Sequence, residues 1–176
     1  MTARQTLSLD NVRLLEQGVQ LLATLGDELY VHTDERISGS CVGSHMRHCI
    51  DFYHCFLGGV YTGQVDYDNR GRDLRIEEDR THATAELERI KSALETFGDG
   101  PEGMQLEVQS DAGTGDKGHW AASSVERELQ VLASHTVHHY ALIAVILRSL
   151  GTDPGREFGV APSTLRYWEE QESCVR

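Results

Sequence analysis

Arg127-Glu128-Leu129-Gln130-Val131-Leu132-Ala133-Ser134-His135-Thr136-Val137-His138-His139-Tyr140-Ala141-Leu142-Ile143-Ala144-Val145-Ile146-Leu147 is the stretch from which the rest of the chain can be read. It has the pattern of a long helix with histidines on its apolar side. Residues four apart lie about 40° apart around a helix. His135 and His139 therefore stack one turn apart, on a face shared with Glu128, Val131, Leu132, Leu142 and Ile146. Burying two imidazoles without partners is costly. Two outcomes satisfy them: hydrogen bonds to backbone or water in the core, or a metal ion, for which neutral imidazole is the commonest nitrogen ligand. The metal outcome needs a third ligand from another helix.

At 176 residues the chain has the size of one domain, residues 1–176, with a single core. Its 28 acidic residues outnumber 16 basic ones, for a net charge of -12. Such a surface repels phosphate, and no Lys/Arg cluster offsets it, so nucleic acid and anionic membranes are not expected partners. The N-terminus has no apolar signal core and no run reaches the ~18 apolar residues of a membrane span, so the expected location is cytoplasmic. Cys41, Cys49, Cys55 and Cys174 form no Cys-x-x-Cys pair and are expected as free thiols. Cys49 falls on an apolar helix face, whereas Cys55 lies nearer the histidines and is a candidate reactive thiol.

Val12, Leu15, Val19, Leu22, Leu25 and Leu29 predict a first amphipathic helix over about 10–31. A polar connection, Thr33 to Ser40, leads to a second helix from about Cys41 to Leu57, stopped by Gly58-Gly59. Residues 58–73 are rich in turn formers and predict a long loop. A third helix is expected from Leu74 to Phe97, with Ala83, Leu87, Ile90 and Leu94 on one face. Alternation on either side of Asp111–Asp116 suggests a small β-hairpin. Ser123-Ser-Val-Glu126 reads as the capping box of the histidine helix, which Gly151 and Pro154 close, and Phe158 to Trp168 suggest a short last helix. The expected fold is all-α: a four-helix bundle with long connections and a small hairpin before the last long helix. Ala141 to Leu147 is apolar nearly all round, which deep burial explains and a homodimer contact also explains.

Helical spacing puts His45, His48 and Asp51 along one edge of the second helix, about 60° apart at each step, and turns His54 away. With Val42, Met46, Cys49 and Tyr53 at the centre of the apolar stripe, His45 falls inside its border and His48 just outside. Periodicity alone selects His45. Other chemistries lack their motifs. No Glu is followed three residues later by His, as a di-iron bundle requires, and there is no His-Glu-x-x-His, Gly-x-Ser-x-Gly or Gly-rich phosphate loop. Asp79-Arg-Thr-His82 reads as a solvated pair, and His32, His54 and His119 have no partner at ligand spacing.

His48-Cys-Ile-Asp51 on an early helix and His135-Thr-Val-His138-His139 on a late one resemble the DinB/YfiT-like family. That family comprises four-helix-bundle proteins classed as metalloenzymes, often dimeric, with three histidines holding a divalent metal. Its relatives include bacillithiol S-transferases and the mycothiol-dependent maleylpyruvate isomerase. The resemblance covers most of the chain in helix order and implies His48, His135 and His139 as ligands. It also matches Val42 and Met46, at the apolar positions six and two before the first ligand. His45 is left as the alternative ligand or as a group behind the ligands. Related sulfoxide synthases resemble His-x-x-x-His-x-Glu at the late helix, where this chain has Ala141, so oxygen-dependent iron chemistry is not expected.

Three neutral imidazoles leave a coordination position open, as catalytic sites do. The implied function is a divalent-metal-dependent enzyme with a small-molecule substrate, of thiol-dependent S-transferase or hydrolase type. Zinc or nickel is the first expectation for the ion and iron or manganese the second, with a low-molecular-weight thiol as possible co-substrate. The alternative is a non-catalytic, stress-associated metal-binding bundle. Asp51 is a candidate for orienting a ligand. Arg70 and Arg72, in Tyr67-Asp-Asn-Arg-Gly-Arg-Asp73, are candidates for clamping a substrate carboxylate.

Overall fold

A computed structural model describes residues 1–33, 39–100, 102–110 and 119–174, with residue 174 through its backbone alone. Among the described residues the chain is mostly helical with one small sheet: α1 (Ala3–Thr24), α2 (Asp27–Val31), α3 (Val42–Gly59), β1 (Gln64–Asp66), α4 (Leu74–Glu78), α5 (Arg80–Phe97), β2 (Gln105–Gln109), β3 (Trp120–Ser124), α6 (Val125–Ser149) and α7 (Pro162–Cys174). The long helices form a closed ring of contacts, in which α1 and α3 each pack against both α5 and α6. Leu15, Leu22, Met46, Tyr53, Leu87, Leu94, Leu129, Leu132 and Ile143 fill the space between them and are fully buried.

Several boundaries differ from the expectations, each for a local reason. The first helix starts at Ala3, because Thr2 and Gln5 form a reciprocal capping box. It ends at Thr24, and a separate turn of helix follows Gly26. The third expected helix is two helices. Asp79 ends α4, and its carboxylate caps α5 by accepting from the Thr81 and His82 amides, a capping competition that an apolar-periodicity count does not register. The histidine helix is capped by Ser124, whose hydroxyl accepts from the Arg127 amide. Ser123 instead donates to Glu128 at 2.5 Å, and Glu126 accepts from the Gly103 amide. α7 extends the expected tail helix to Cys174.

The expected hairpin is present as β2 and β3, antiparallel with Leu106 opposite Ser123; the Asp111–Asp116 turn falls at residues outside those described, as does most of the Thr33–Ser40 connection. The stretch read as a loop, 58–73, contains a 3-10 turn, Val60–Thr62, and β1, which joins the sheet parallel to β2. Three residues carry too little alternation to reveal a strand, and this one is defined by a partner some forty residues away.

α4 reaches the start of α3 because Gly43 has no side chain: a Cβ there would meet the Glu77 carbonyl oxygen. Arg47 then ties α4 to α3 through Glu77 (2.8 Å) and Asp51 (3.3 Å). A buried polar network joins three long helices. Tyr53 on α3 donates to Asn11 Oδ1 on α1 (2.8 Å) and meets Thr136 on α6 at 3.0 Å, while Asn11 donates to the Leu129 carbonyl at 2.9 Å. Thr136 is the neighbour of His135, so the network sets the register of α3 against α6 directly beneath the histidines. α6 is by length and composition apolar enough to cross a membrane, and here it packs against α1 and α3. Leu142 and Val145 remain exposed on its outer side, at 37% and 55%.

Candidate metal centre

α3 carries His45 and His48, with Phe52 one turn after His48; α6 carries His135 and His139. Packed together, the two helices bring all four imidazoles into one half-buried cluster. His48 Nε2 faces His135 Nε2 at 3.1 Å. The His48 ring centroid lies 4.6 Å from that of His139, and the His135 centroid 4.5 Å from it. One nitrogen from each of His48, His135 and His139 lies within 4.8 Å of the others. Nitrogens bound tetrahedrally at 2.0–2.1 Å from zinc would sit about 3.3 Å apart. The triad needs only a small contraction to reach that spacing, and the His48–His135 pair already has it.

Electrostatics favour the ligand form of these rings. Burial, then Arg70 and Arg47, pushes His48 down to about 4. Burial and its neighbour His48 lower His135 to about 4, and burial with His135 and His48 lowers His139 to about 3. Each cause disfavours a proton on the ring and leaves a lone pair available at neutral pH. Among the described residues His135 Nδ1 is buried without a hydrogen-bond partner, so with Nε2 turned to the cluster its other ring nitrogen has no acceptor of the kind that usually orients a ligating histidine. A donor set of three neutral imidazoles, poor in protons and converging on one point, fits a borderline divalent ion such as zinc or nickel.

His45 sits one layer out. Its Nδ1 meets His139 Nδ1 at 2.9 Å, and its Nε2 meets the Ser40 hydroxyl at 3.0 Å. If His139 donates from Nδ1, its Nε2 lone pair turns toward His48 and His135, and His45 then donates from Nε2 to Ser40. Periodicity and resemblance point to different histidines on α3, and both are at the cluster: His48 within the triad and His45 against His139.

The other candidates separate. Asp51 is buried, but its carboxylate faces Arg47 and the Arg72 main-chain amide, and among the described residues no hydrogen bond links it to an imidazole. Its pKa is raised by burial, a shift that Arg47 opposes. Arg70 places its guanidinium 5.4 Å from the Phe52 ring centroid. Arg72 is exposed, at a φ of 50°, and is not brought together with Arg70 over that ring. Cys55 is half-buried, and burial followed by Asp51 raises its thiol to about 11, the wrong direction for a nucleophile at neutral pH. His32, His54, His119 and His138 are exposed. His82, read as solvated, is half-buried beside Asp73 at 3.4 Å.

Phe52, Tyr67 and Glu128 form a wall that the sequence reading did not assign to the site. Phe52 stacks on His135 (4.0 Å) and on Tyr67 (4.9 Å), and the Tyr67 hydroxyl donates to buried Glu128 at 2.9 Å. Spacing held part of this signal: Phe52 follows His48 by four residues and Glu128 precedes His135 by seven, so each shares a helix face with a candidate ligand. Tyr67 comes from the loop and could be placed only by the fold.

No family model matches the chain, and no solved structure matches it. The chain is similar to a protein named FK506-binding protein 5 from Rhizopus delemar, with 32% identity over 108 residues. The match covers 61% of this chain and spans 28% of that protein.

Proposed function

We propose that this protein is a divalent-metal-dependent enzyme of the thiol-transferase or hydrolase type, with His48, His135 and His139 as the ligands. The observation that carries this reading is the convergence of three imidazoles, all held neutral, with no carboxylate among them. The ring of α1, α5, α3 and α6 supports a four-helix bundle of the DinB/YfiT-like kind, with the site between α3 and α6. An ion held there would lower the pKa of a thiol or water toward neutrality, with zinc or nickel suited to an all-imidazole set. The chain's own residues do the rest. His45, itself in contact with Ser40, gives His139 Nδ1 a hydrogen-bond partner that would orient its ring, Phe52 shields His135 from water, and the Tyr53–Asn11–Thr136 network keeps the two histidine helices in register. The exposed α6 face carrying Leu142 and Val145 supports a homodimer, which sedimentation of the purified chain would test.

Elemental analysis of protein purified without a tag tests the centre. The expected result is near-stoichiometric zinc or nickel in wild type, lost in His48→Ala, His135→Ala and His139→Ala, together with turnover of an electrophile by a small thiol or of an ester. Metal-free wild type that does not take up added metal would overturn the proposal. Bound metal without turnover across both panels would instead favour a non-catalytic metal-binding protein.

A further inference from the structure

We propose that Arg70 is the binding position for a carboxylate on the substrate, at the rim of the histidine cluster. The proposal takes the site's role from the function proposed above, but the anion contact itself requires no metal. Its starting point is a guanidinium that Asp51 feels electrostatically but that no carboxylate engages as an ion pair among the described residues. In a chain with 28 acidic residues, Arg13, Arg47, Arg75, Arg80, Arg89, Arg148 and Arg156 each face a carboxylate. Arg70 is half-buried, and among the described residues no carboxylate lies within ion-pair distance of it. A half-buried guanidinium is costly to leave unpaired, and the Phe52 ring beneath it offsets only part of that cost.

The location gives that charge a use. Phe52, which carries Arg70 on its ring, also stacks on His135 at 4.0 Å and lies 5.0 Å from His48. An anion held by Arg70 is thus one aromatic ring away from two of the three triad members. The loop carrying Arg70 is anchored on both sides. On one side the Tyr67 amide donates to the Gln109 carbonyl at 2.9 Å, the Tyr67 hydroxyl bonds Glu128, and Asp66 accepts from the Asp68 and Asn69 amides. On the other side Asp73 caps α4. A guanidinium presented from a fixed loop loses less freedom when it binds than one on a mobile loop.

The chemistry favours carboxylate over phosphate. Dianionic phosphate sites usually combine several cations or a helix N-terminus. Here Arg47 is already engaged by Glu77 and Asp51, and Arg72 is exposed and not beside Arg70 over Phe52. One planar fork matches one carboxylate, so the two-arginine clamp suggested by the sequence reduces to Arg70. Three neutral imidazoles contribute no negative charge, so the carboxylate that such a group would have to share Arg70 with is Asp51, which already faces Arg47.

The test titrates metal-free protein with succinate, neutral succinamide and inorganic phosphate, following side-chain NMR signals of Arg70 and Phe52. Succinate is expected to shift both, with succinamide without effect at equal concentration and phosphate weaker. Arg70→Gln should weaken succinate binding roughly tenfold or more, and Arg72→Gln should leave it unchanged. Equal response to succinate and succinamide in wild type, or no response to either, overturns the proposal without relying on any variant. So does unchanged succinate binding in Arg70→Gln, and stronger binding of phosphate overturns the carboxylate assignment. Repeating the titration after adding zinc separates the two ideas. Succinate binding at Arg70 with no zinc uptake would sink the metal centre alone, and zinc uptake with succinate indifferent to Arg70 would sink the carboxylate site alone.

Discussion

Binding of zinc at about pH 6 should release almost no protons from this protein. Ordinary histidines titrate near 6.5, so three of them would together carry about 2.3 protons at pH 6 and would have to surrender them to a metal. Here burial and mutual proximity put His48 and His135 at about 4 and His139 at about 3. At pH 6 these rings together carry only about 0.02 protons, by the same arithmetic. Affinity follows the same logic. Between pH 7.5 and 5.5 proton competition would weaken an ordinary three-histidine site roughly a thousandfold, and this one less than twofold. The assay is calorimetric titration of tag-free, chelator-treated protein with zinc, in two buffers of different ionisation enthalpy, from which the number of protons released is obtained directly. Release of two or more protons at pH 6, with affinity falling a hundredfold or more by pH 5.5, would refute the argument that the fold holds these imidazoles neutral.

The same shifts act on stability. Well above pH 6.5, by about pH 7.5, the three rings are mostly neutral in folded and unfolded chains alike. As pH falls from there through about 4, the unfolded chain takes up protons that the folded cluster disfavours. Urea unfolding of metal-free protein should therefore show stability falling over that window; a flat profile would contradict the burial of these rings. His45→Ala should weaken zinc binding about 10–100-fold by removing the hydrogen-bond partner of His139 Nδ1. His48→Ala should weaken it more, and the reverse ranking would make His45 the ligand. Tyr53→Phe leaves Asn11 Oδ1 buried without the donor it has at 2.8 Å and should cost about 1–3 kcal/mol in equilibrium unfolding. Gly43→Ala drives a methyl group into the Glu77 carbonyl and should cost about 1–3 kcal/mol, with loosening of α4 visible as faster hydrogen exchange.

What the sequence by itself determined is what lies within one helix. Apolar spacing located the histidine helix and the faces of α3 and α5, and the i, i+4 rule placed His135 and His139 on one line, because positions a turn apart are neighbours whatever surrounds the helix. Alternation found β2 and β3 for the same reason. What only the tertiary structure decided lies between elements. Which of His45 and His48 joins the triad depends on the register of α3 against α6, which the Tyr53–Asn11–Thr136 contacts hold. His45 and His48 are three residues apart on α3, about 4.5 Å along its axis, so a slide of that size against α6 would bring one to the level of the other. Strand β1 and the placing of Tyr67 and Arg70 depend likewise on a partner far along the chain. Helical periodicity reports which side of a helix faces inward; how deep a given side chain reaches, and what meets it there, depends on packing contacts between distant segments that no local pattern contains.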